Sequence, residues 1–210
     1  FDVVINAMGN QHTPLYPNVP GMDSFTGESW HATRWNNDVD LTGKRVLIVG
    51  GGDSALDWTL NLAPIAERVI LMHRRDEFRA EQILIDRLMK NPKIEVLWHH
   101  TLEEVVGEDS PMGVTGIRVK HTQTGEISEI PAKGVFIAIG HAPASELVKD
   151  QLELHHGGYV KVQPGSTRTS IEGVFAAGDL TDHVYRQAVT SAGMGCMAAL
   201  DAERWLAHHK

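Results

Sequence analysis

Three arginines stand close together in the run HRRDEFR, directly after an apolar stretch. Arg74, Arg75 and Arg79 carry planar guanidinium groups that can bind a phosphate through paired hydrogen bonds. The whole chain has a net charge of −8 and a pI near 5.8, which disfavours a general polyanion-binding surface and a nucleic-acid partner. We therefore expect the cluster to bind one local phosphate. The alternative is a solvated basic corner that Asp76 and Glu77 partly neutralise.

A glycine-rich turn precedes this cluster, in the run VLIVGGGDSALDW. Gly50, Gly52 and Ala55 match the pattern G-x-G-x-x-G/A, in which the glycines permit a tight turn and let a pyrophosphate approach the backbone. Asp53 is the expected N-cap of the following helix, and Ser54 lies in its first turn. Because the pattern follows a strand and opens a helix, it predicts a dinucleotide site rather than an ordinary strand–helix turn.

The residues after the second strand favour NADPH over NADH. An NAD-binding protein usually has Asp or Glu there, which binds the ribose 2′-hydroxyl. Here the strand ends at His73 and the arginines follow. A carboxylate would repel the nearly dianionic 2′-phosphate of NADPH, whereas guanidinium groups bind it. We count His73 among the expected cofactor-binding residues.

The elements that position these residues alternate between strand and helix, which predicts an α/β fold. A Rossmann-like domain over 44–140, with a parallel sheet, helices and a β-meander, is expected between the flanking parts 1–43 and 141–210. The expected strands are 2–8, 45–49, 68–73, 94–98, 102–106, 113–121, 126–130, 134–139, 158–162 and 173–177, and the expected helices are 53–62, 80–90 and 187–207.

Cysteine content and apolar runs exclude several classes of protein. Cys196 is the single cysteine, so an internal disulfide, a dithiol pair and a cysteine zinc site are excluded, and a reducing cytoplasm is expected. No apolar run approaches the roughly 18 residues of a membrane span. None of the twelve histidines has zinc-like spacing, and we expect no metal site.

A second candidate site lies near the end of the chain, where the run TSIEGVFAAGD leads through a loop to a long helix. Asp179, beside Gly178, can bind a sugar hydroxyl. The helix start at Arg186, Gln187 and Ala188 can bind an anion or an electron-rich ring edge. Taken alone, this pattern is more typical of a strand, a turn and a surface carboxylate.

Longer stretches carry a family resemblance. GGGDSALDWTLNLAPIAERV, HRRDEFRA, FIAIGH and VFAAGDLTDHVYRQAVTSAGMGCMAALDAERWL resemble bacterial low-molecular-weight thioredoxin reductases and thioredoxin-reductase-like ferredoxin–NADP reductases over about 44–208. These flavoproteins have two dinucleotide-binding domains. The resemblance implies hydride transfer from NADPH to FAD, a homodimer, and flanking parts that belong to an FAD-binding Rossmann-like domain. It implies NADPH at Gly50, Gly52, Ser54, Arg74, Arg75 and Arg79, and FAD at Gly178, Asp179, Arg186, Gln187 and Ala188.

Gly140, where the last strand of the central domain ends, is also counted among the expected cofactor-binding residues. The hydride chemistry belongs to the two cofactors, so no side chain is expected to act as acid, base or nucleophile.

The chain departs from those reductases in two ways. A Cys-x-x-Cys pair is replaced by FTGESWHATRWNND, and one thiol cannot accept two electrons as a disulfide, so thioredoxin reductase activity is excluded for this chain alone. The final electron acceptor is therefore open. We also expect the family's N-terminal FAD unit to be missing, because VINAMG resembles a strand near the end of that unit. We expect a fragment that binds FAD poorly and exposes apolar surface.

The linker carries another resemblance. FTGESWHATRW fits F-x-G-x-x-x-H-x-x-x-W, which resembles the fingerprint of Baeyer–Villiger monooxygenases, and the likeness extends over about 17–46. His31 and Trp35 would share a face if this stretch were helical. The alternative is a linker whose aromatic residues pack it onto the domain. The mixture suggests an engineered, reconstructed or chimeric chain. A flavin-free NADPH-binding module and a monooxygenase remain as alternative functions.

Overall fold

The computed structural model describes residues 3–7, 9, 14, 16–17, 19–20, 22, 25–110, 112–140, 142–155 and 157–209. The chain divides into two compact units. One is Pro14–Gly140, and the other combines Phe1–Thr13 with His141–Lys210. The linker before residue 44 is thus part of the central unit from Pro14 onward.

The strands of the central unit are β1 Arg45–Gly50, β2 Arg68–His73, β3 Ile94–Trp98, β4 His100–Asp109, β5 Met112–His121, β6 Ile127–Pro131 and β7 Gly134–Ala138. They form a parallel sheet in the order β3-β2-β1-β7 and an antiparallel sheet in the order β4-β5-β6. Helix α1 spans Asp53–Leu62 and helix α2 spans Gln82–Met89. The expected α/β class, with a parallel sheet, helices and a meander, is confirmed.

The central residues of β1 and β2, Val46–Val49 and Val69–Met72, are all apolar because both faces of the parallel sheet are covered. Side chains that point one way pack with α1 and α2, and those that point the other way pack against the meander. The first set includes Val46, Ile48, Val69 and Leu71, and the second includes Leu47, Ile70 and Met72. This core holds the carboxyl ends of β1, β2 and β7 side by side.

The other unit has little regular structure apart from one long helix. Helix α3 spans Ala188–His208 and follows a 3-10 helix at Gly178–Leu180. A small core buries Leu152, Val160 and Ala176. In the part of the chain that the structure describes, no helix is long and apolar enough to cross a membrane.

Three expected strands are wrong. Residues 3–7 form no strand, and Val4 and Ile5 are 82% and 85% exposed; residues 2 and 8 lie outside the described part. Strand 158–162 is reduced to the bridge Leu154–Val160, and strand 173–177 to the bridge Arg168–Phe175. The physical reason is that positive-φ glycines, among them Gly158 and Gly173, turn the chain before a ladder can extend.

Candidate nucleotide-binding sites

The glycine turn lies between β1 and α1 and combines one crowded glycine with one open glycine. A Cβ on Gly50 would overlap the carbonyl oxygen of Ala138 and lie 2.6 Å from the Cβ of Ala55. A Cβ on Gly52 would meet nothing within 4 Å. The amides of Asp53 and Ser54 precede the first hydrogen bonds of α1, which Ala55 and Leu56 donate to the carbonyl of Gly52, and Ser54 is exposed. The turn therefore offers an open backbone surface and a helix N-terminus to an anion.

Asp53 does not cap its own helix, so the expected N-cap is wrong. Gly52 is the N-cap of α1, and Asp53 is the first residue of the helix. The Oδ1 atom of Asp53 instead accepts a hydrogen bond of 2.8 Å from the backbone amide of Glu81, the N-cap residue of α2. The carboxylate thus joins the glycine turn to the segment that follows the arginines.

His73 is buried beneath the turn, with 9% of its surface exposed. A Cβ on Gly51 would overlap its imidazole, and its ring lies 5.7 Å from that of Phe78. Burial lowers the pKa of His73 below its ordinary value of 6.5, and it outweighs the nearby carbonyls of Gly50 and Glu77. The lowered pKa favours the uncharged imidazole, which packs against Gly51 of the turn, whereas the arginines lie nearer the surface.

The three arginines lie at the carboxyl end of β2, beside the glycine turn. Arg74 and Arg79 are exposed, and Arg75 is half-buried. No ion pair between described residues involves any of the three, and none joins them to Asp76 or Glu77. Three unpaired guanidinium groups in an acidic chain favour an anion site over the neutralised basic corner.

Gly140 follows β7, which pairs with β1 so that Ala138 is opposite Gly50. Its φ is +117°, and a Cβ there would meet nothing within 4 Å. The carboxyl ends of β1, β2 and β7 thus bring together Gly50, Gly52, Asp53, Ser54, Ala55, Arg74, Arg75, Arg79 and Gly140, with His73 beneath them.

The second candidate site is built around the start of α3. Gly178 has a φ of +74°, and Asp179 accepts a hydrogen bond of 2.8 Å at Oδ1 from the hydroxyl of Ser191. Gln187 is the N-cap of α3, and Ala188 is its first residue, one position later than expected. Arg186 is exposed and has a φ of +50°, which is rare for a residue with a side chain.

Asp182 organises this loop, although its role was not predicted from the sequence. It is 6% exposed, and its carboxylate accepts hydrogen bonds from the amides of Val184, Tyr185 and Arg186, at 2.8–3.0 Å, and from the hydroxyl of Thr190. These bonds hold the loop that leads into α3. The signal in the sequence is a short-range one, an Asp a few residues before a helix, which is typical of a side chain that binds backbone amides.

Asp182 should make stability depend on pH. Burial by itself would raise the pKa of Asp182, but the three amides and Thr190 lower it below its ordinary value of 3.8. The native state therefore favours the carboxylate, and its stabilisation is present above pH 3.8 and lost as the pH falls through the native pKa.

Denaturant unfolding at several pH values should show this loss in the native protein and a weaker one in Asp182→Asn. The exposed Asp150→Asn variant is the control. Equal pH dependence in all three proteins would contradict the assignment to Asp182.

The aromatic linker packs onto the central unit. Trp35 stacks on Trp58 and Phe136, with ring centroids 5.3 and 5.6 Å apart. His31 and Trp35 flank a 3-10 helix at Ala32–Arg34, and His31 accepts a hydrogen bond at Nδ1 from the amide of Thr33. An α-helical face shared by the two residues is therefore not formed. This packing fits the alternative of a linker held by its aromatic residues, and the monooxygenase resemblance stays a prediction.

A cavity of about 510 Å³ lies between this linker and the sheet, lined among others by Phe25, Trp30, Trp35 and Phe136. No group of three His, Cys, Asp or Glu side chains suited to a metal ion occurs among the described residues. The single cysteine, Cys196, is exposed on α3.

The parallel sheet, the glycine turn that opens a helix, and the free arginines at the same edge define a dinucleotide-binding α/β protein. Comparison with known families narrows this class. The sequence profile described as pyridine nucleotide-disulphide oxidoreductase matches residues 1–195. The chain belongs to this family, as its resemblance to thioredoxin reductases had predicted.

Individual relatives agree. The chain is 52% identical to a thioredoxin reductase of Rickettsia felis over 163 residues, 78% of this chain and 53% of that protein. It is 48% identical to one of Mycolicibacterium smegmatis over 204 residues, 97% of this chain and 64% of the relative. The crystal structure of Lactococcus lactis thioredoxin reductase (FR conformation) matches with a TM-score of 0.81 and 31% identity, over 93% of this chain and 64% of that one. The chain thus spans between about half and two thirds of these relatives.

Proposed function

We propose that this chain belongs to an NADPH-dependent flavoprotein oxidoreductase that transfers hydride from NADPH to FAD. The observation that carries the proposal is the set of three arginines beside the open glycine turn, none of which forms an ion pair with a described residue. The open turn suits the pyrophosphate that NADPH and NADH share. The cationic side chains suit the 2′-phosphate that only NADPH carries. The similarity to thioredoxin reductases supports it.

NADPH fits the residues of the central unit. Gly52 leaves the backbone open to a pyrophosphate, and the first amides of α1 would donate hydrogen bonds to it. Arg74, Arg75 and Arg79 would bind the 2′-phosphate. Bound NADPH supplies the hydride, and the chain holds and orients the nucleotide without a catalytic acid or base.

FAD fits the residues around α3. Asp179 has one carboxylate oxygen engaged by Ser191, and the other would accept a hydrogen bond from a hydroxyl of the ribityl chain. The start of α3 at Arg186, Gln187 and Ala188 would place a helix N-terminus at the edge of the flavin ring. FAD supplies the hydride acceptor, and these residues bind and orient it.

A further proposal concerns how electrons would leave this chain, which has no pair of cysteines to pass them on as a dithiol. The relatives are named thioredoxin reductases, but a disulfide relay requires two thiols and this sequence has only Cys196. We propose that bound FAD would supply electrons to the acceptor without a disulfide of this chain as an intermediate. Adding oxidised thioredoxin to the NADPH-reduced protein tests this. A relay through thiols of this chain would reduce thioredoxin, so we expect thioredoxin to stay oxidised.

A second candidate function is an NADPH-binding module without flavin. It is favoured by the fact that every residue assigned to NADPH lies within the single unit Pro14–Gly140. Such a module would hold the nucleotide, and no redox reaction would take place on this chain.

A visible absorption spectrum of the purified protein, taken anaerobically with and without added FAD, separates the two functions. A flavin band that bleaches when NADPH is added supports the oxidoreductase. A colourless protein that binds NADPH after incubation with FAD supports the module. A protein that binds neither nucleotide overturns both proposals.

We also propose that the chain self-associates and acts in the cytoplasm. Helix α3 has no buried residue among those described, and Val189, Met197 and Leu200 on it are 83%, 40% and 43% exposed. Apolar side chains at these exposures favour association with another surface. The single cysteine suits a reducing compartment. Analytical ultracentrifugation tests the first proposal, since a monomer at micromolar concentration would overturn it.

A further inference from the structure

We propose that Asp53 is a positioning residue that braces the arginine loop, defined as residues 74–81, against the glycine turn, and so sets the preference for NADPH over NADH. The proposal rests on the NADPH site proposed above. The arginine loop contains all three arginines of that site and forms neither helix nor strand. Its position must therefore come from contacts with neighbouring elements.

Two hydrogen bonds join the arginine loop to the glycine turn. The backbone amide of Arg79 donates to the carbonyl oxygen of Gly51 at 2.7 Å. The amide of Glu81 donates to Oδ1 of Asp53 at 2.8 Å. The first bond holds the backbone of one of the three arginines, and the second holds the chain two residues later. The segment proposed to bind the pyrophosphate and the segment proposed to bind the 2′-phosphate are thus joined by direct hydrogen bonds.

The hydrogen bond between Asp53 and Glu81, called the brace below, is separate from the packing that holds the loop on the domain. Phe78 packs against the core, and its ring lies 4.4 Å from that of Trp98. This contact anchors the middle of the loop without Asp53. Loss of the Asp53 bond should therefore leave the loop attached and the domain folded, with the arginine at position 79 less well held.

The charge of Asp53 gives the proposal a sharp test. A carboxylate in the first turn of α1 lies beside the expected pyrophosphate, which it would repel. Its hydrogen bond to Glu81 needs only an acceptor oxygen, which an asparagine also supplies. Asp53→Asn should keep the brace and remove the repulsion, whereas Asp53→Ala removes both.

The dissociation constants of NADPH and NADH, measured by isothermal titration calorimetry, distinguish the two variants. In Asp53→Ala we expect NADPH affinity to fall about ten-fold and NADH affinity to change less than about three-fold. In Asp53→Asn we expect both affinities to stay the same or to rise. A loss of NADPH affinity in the Asn variant that matches the Ala variant, or equal losses for both nucleotides in the Ala variant, would overturn the proposal.

Hydrogen exchange in the absence of nucleotide supplies a readout that does not depend on NADPH. The amides of Arg79 and Glu81 should exchange faster in Asp53→Ala than in the native protein or in Asp53→Asn. Faster exchange without a change in the NADPH-to-NADH affinity ratio would show a brace with no part in selectivity, which contradicts the proposal. If the native protein binds neither nucleotide, the proposed function itself fails. The exchange rates, which are measured without nucleotide, still test whether Asp53 holds the arginine loop.

A second variant removes the other partner of the bond. Glu81 has a φ of −61°, which proline adopts, so Glu81→Pro deletes the donor amide with little backbone change. Glu81→Ala, which keeps the amide, is its matched control. We expect Glu81→Pro to reproduce the selective loss of NADPH affinity and Glu81→Ala to leave it unchanged. Native-like affinities in a folded Glu81→Pro would also overturn the proposal.

Discussion

Replacing Arg74 and Arg75 by glutamine should weaken NADPH binding far more than NADH binding, by about 1–3 kcal/mol for each arginine–phosphate hydrogen bond that is removed. Both side chains lie at the carboxyl end of β2 and form no ion pair with any described residue, so the change breaks no salt bridge of the fold. The two nucleotides differ by the 2′-phosphate alone. The ratio of their dissociation constants therefore isolates the interactions with that group, and calorimetric titration of both nucleotides measures it.

Arg68→Gln is the matched control for this experiment. Arg68 lies at the other end of β2 and forms an exposed ion pair of 2.8 Å with Glu95. Exposed pairs of this kind contribute about 0–1 kcal/mol, so stability should hardly change. Nucleotide affinities should be native-like, since the residue is at the opposite end of the strand. Equal losses of NADPH and NADH affinity in the Arg74 and Arg75 variants would refute a 2′-phosphate site.

Alanine at Gly50 and alanine at Gly52 should both weaken nucleotide binding, but only the first should destabilise the fold. In Gly50→Ala the new methyl group meets the carbonyl oxygen of Ala138 and the side chain of Ala55, both parts of the packed core. Overpacking at such a position costs about 1–3 kcal/mol or more, because β1, β7 and α1 must move apart. Denaturant unfolding should show the loss of stability, and nucleotide binding should fall with it.

In Gly52→Ala the fold should be kept. The residue has a φ of −103° and a ψ of 179°, which alanine adopts without strain, and its Cβ would point into open space. We expect a loss of stability of at most about 1 kcal/mol from the poorer N-cap. The methyl group would occupy the space proposed for the pyrophosphate, so NADPH and NADH should weaken together. Native-like binding of both nucleotides by Gly52→Ala would place the pyrophosphate elsewhere.

The parts of the fold that follow from local signals were predicted well from the sequence. Strands β1 and β2 and helix α1 were expected within one residue of their observed bounds. Apolar β-branched runs, a glycine turn and a terminating proline mark these elements, and each signal acts over a few residues. The clustering of the arginines followed from their spacing, and their freedom from ion pairs came from the structure.

Three strands predicted outside the central unit are wrong. Residues 3–7 have the apolar pattern of a strand, but Val4 and Ile5 are exposed and no ladder forms there. A strand is stabilised by hydrogen bonds to a neighbour that local sequence does not specify. At 158–162 and 173–177 single bridges replace the strands, because Gly158 and Gly173, with positive φ, turn the chain.

By itself, the sequence predicted the order of strands and helices in the central unit and the glycine turn, and it indicated the class of anion that the arginines suit, because periodicity, backbone freedom and charge are local properties. Only the tertiary structure showed which residues distant in sequence contact each other. It showed that Asp53 meets the amide of Glu81, 28 residues away, and that Trp35 stacks on Trp58 and Phe136. Such contacts depend on which strand ends the packed core brings together, and the spacing of residues along the chain does not encode that.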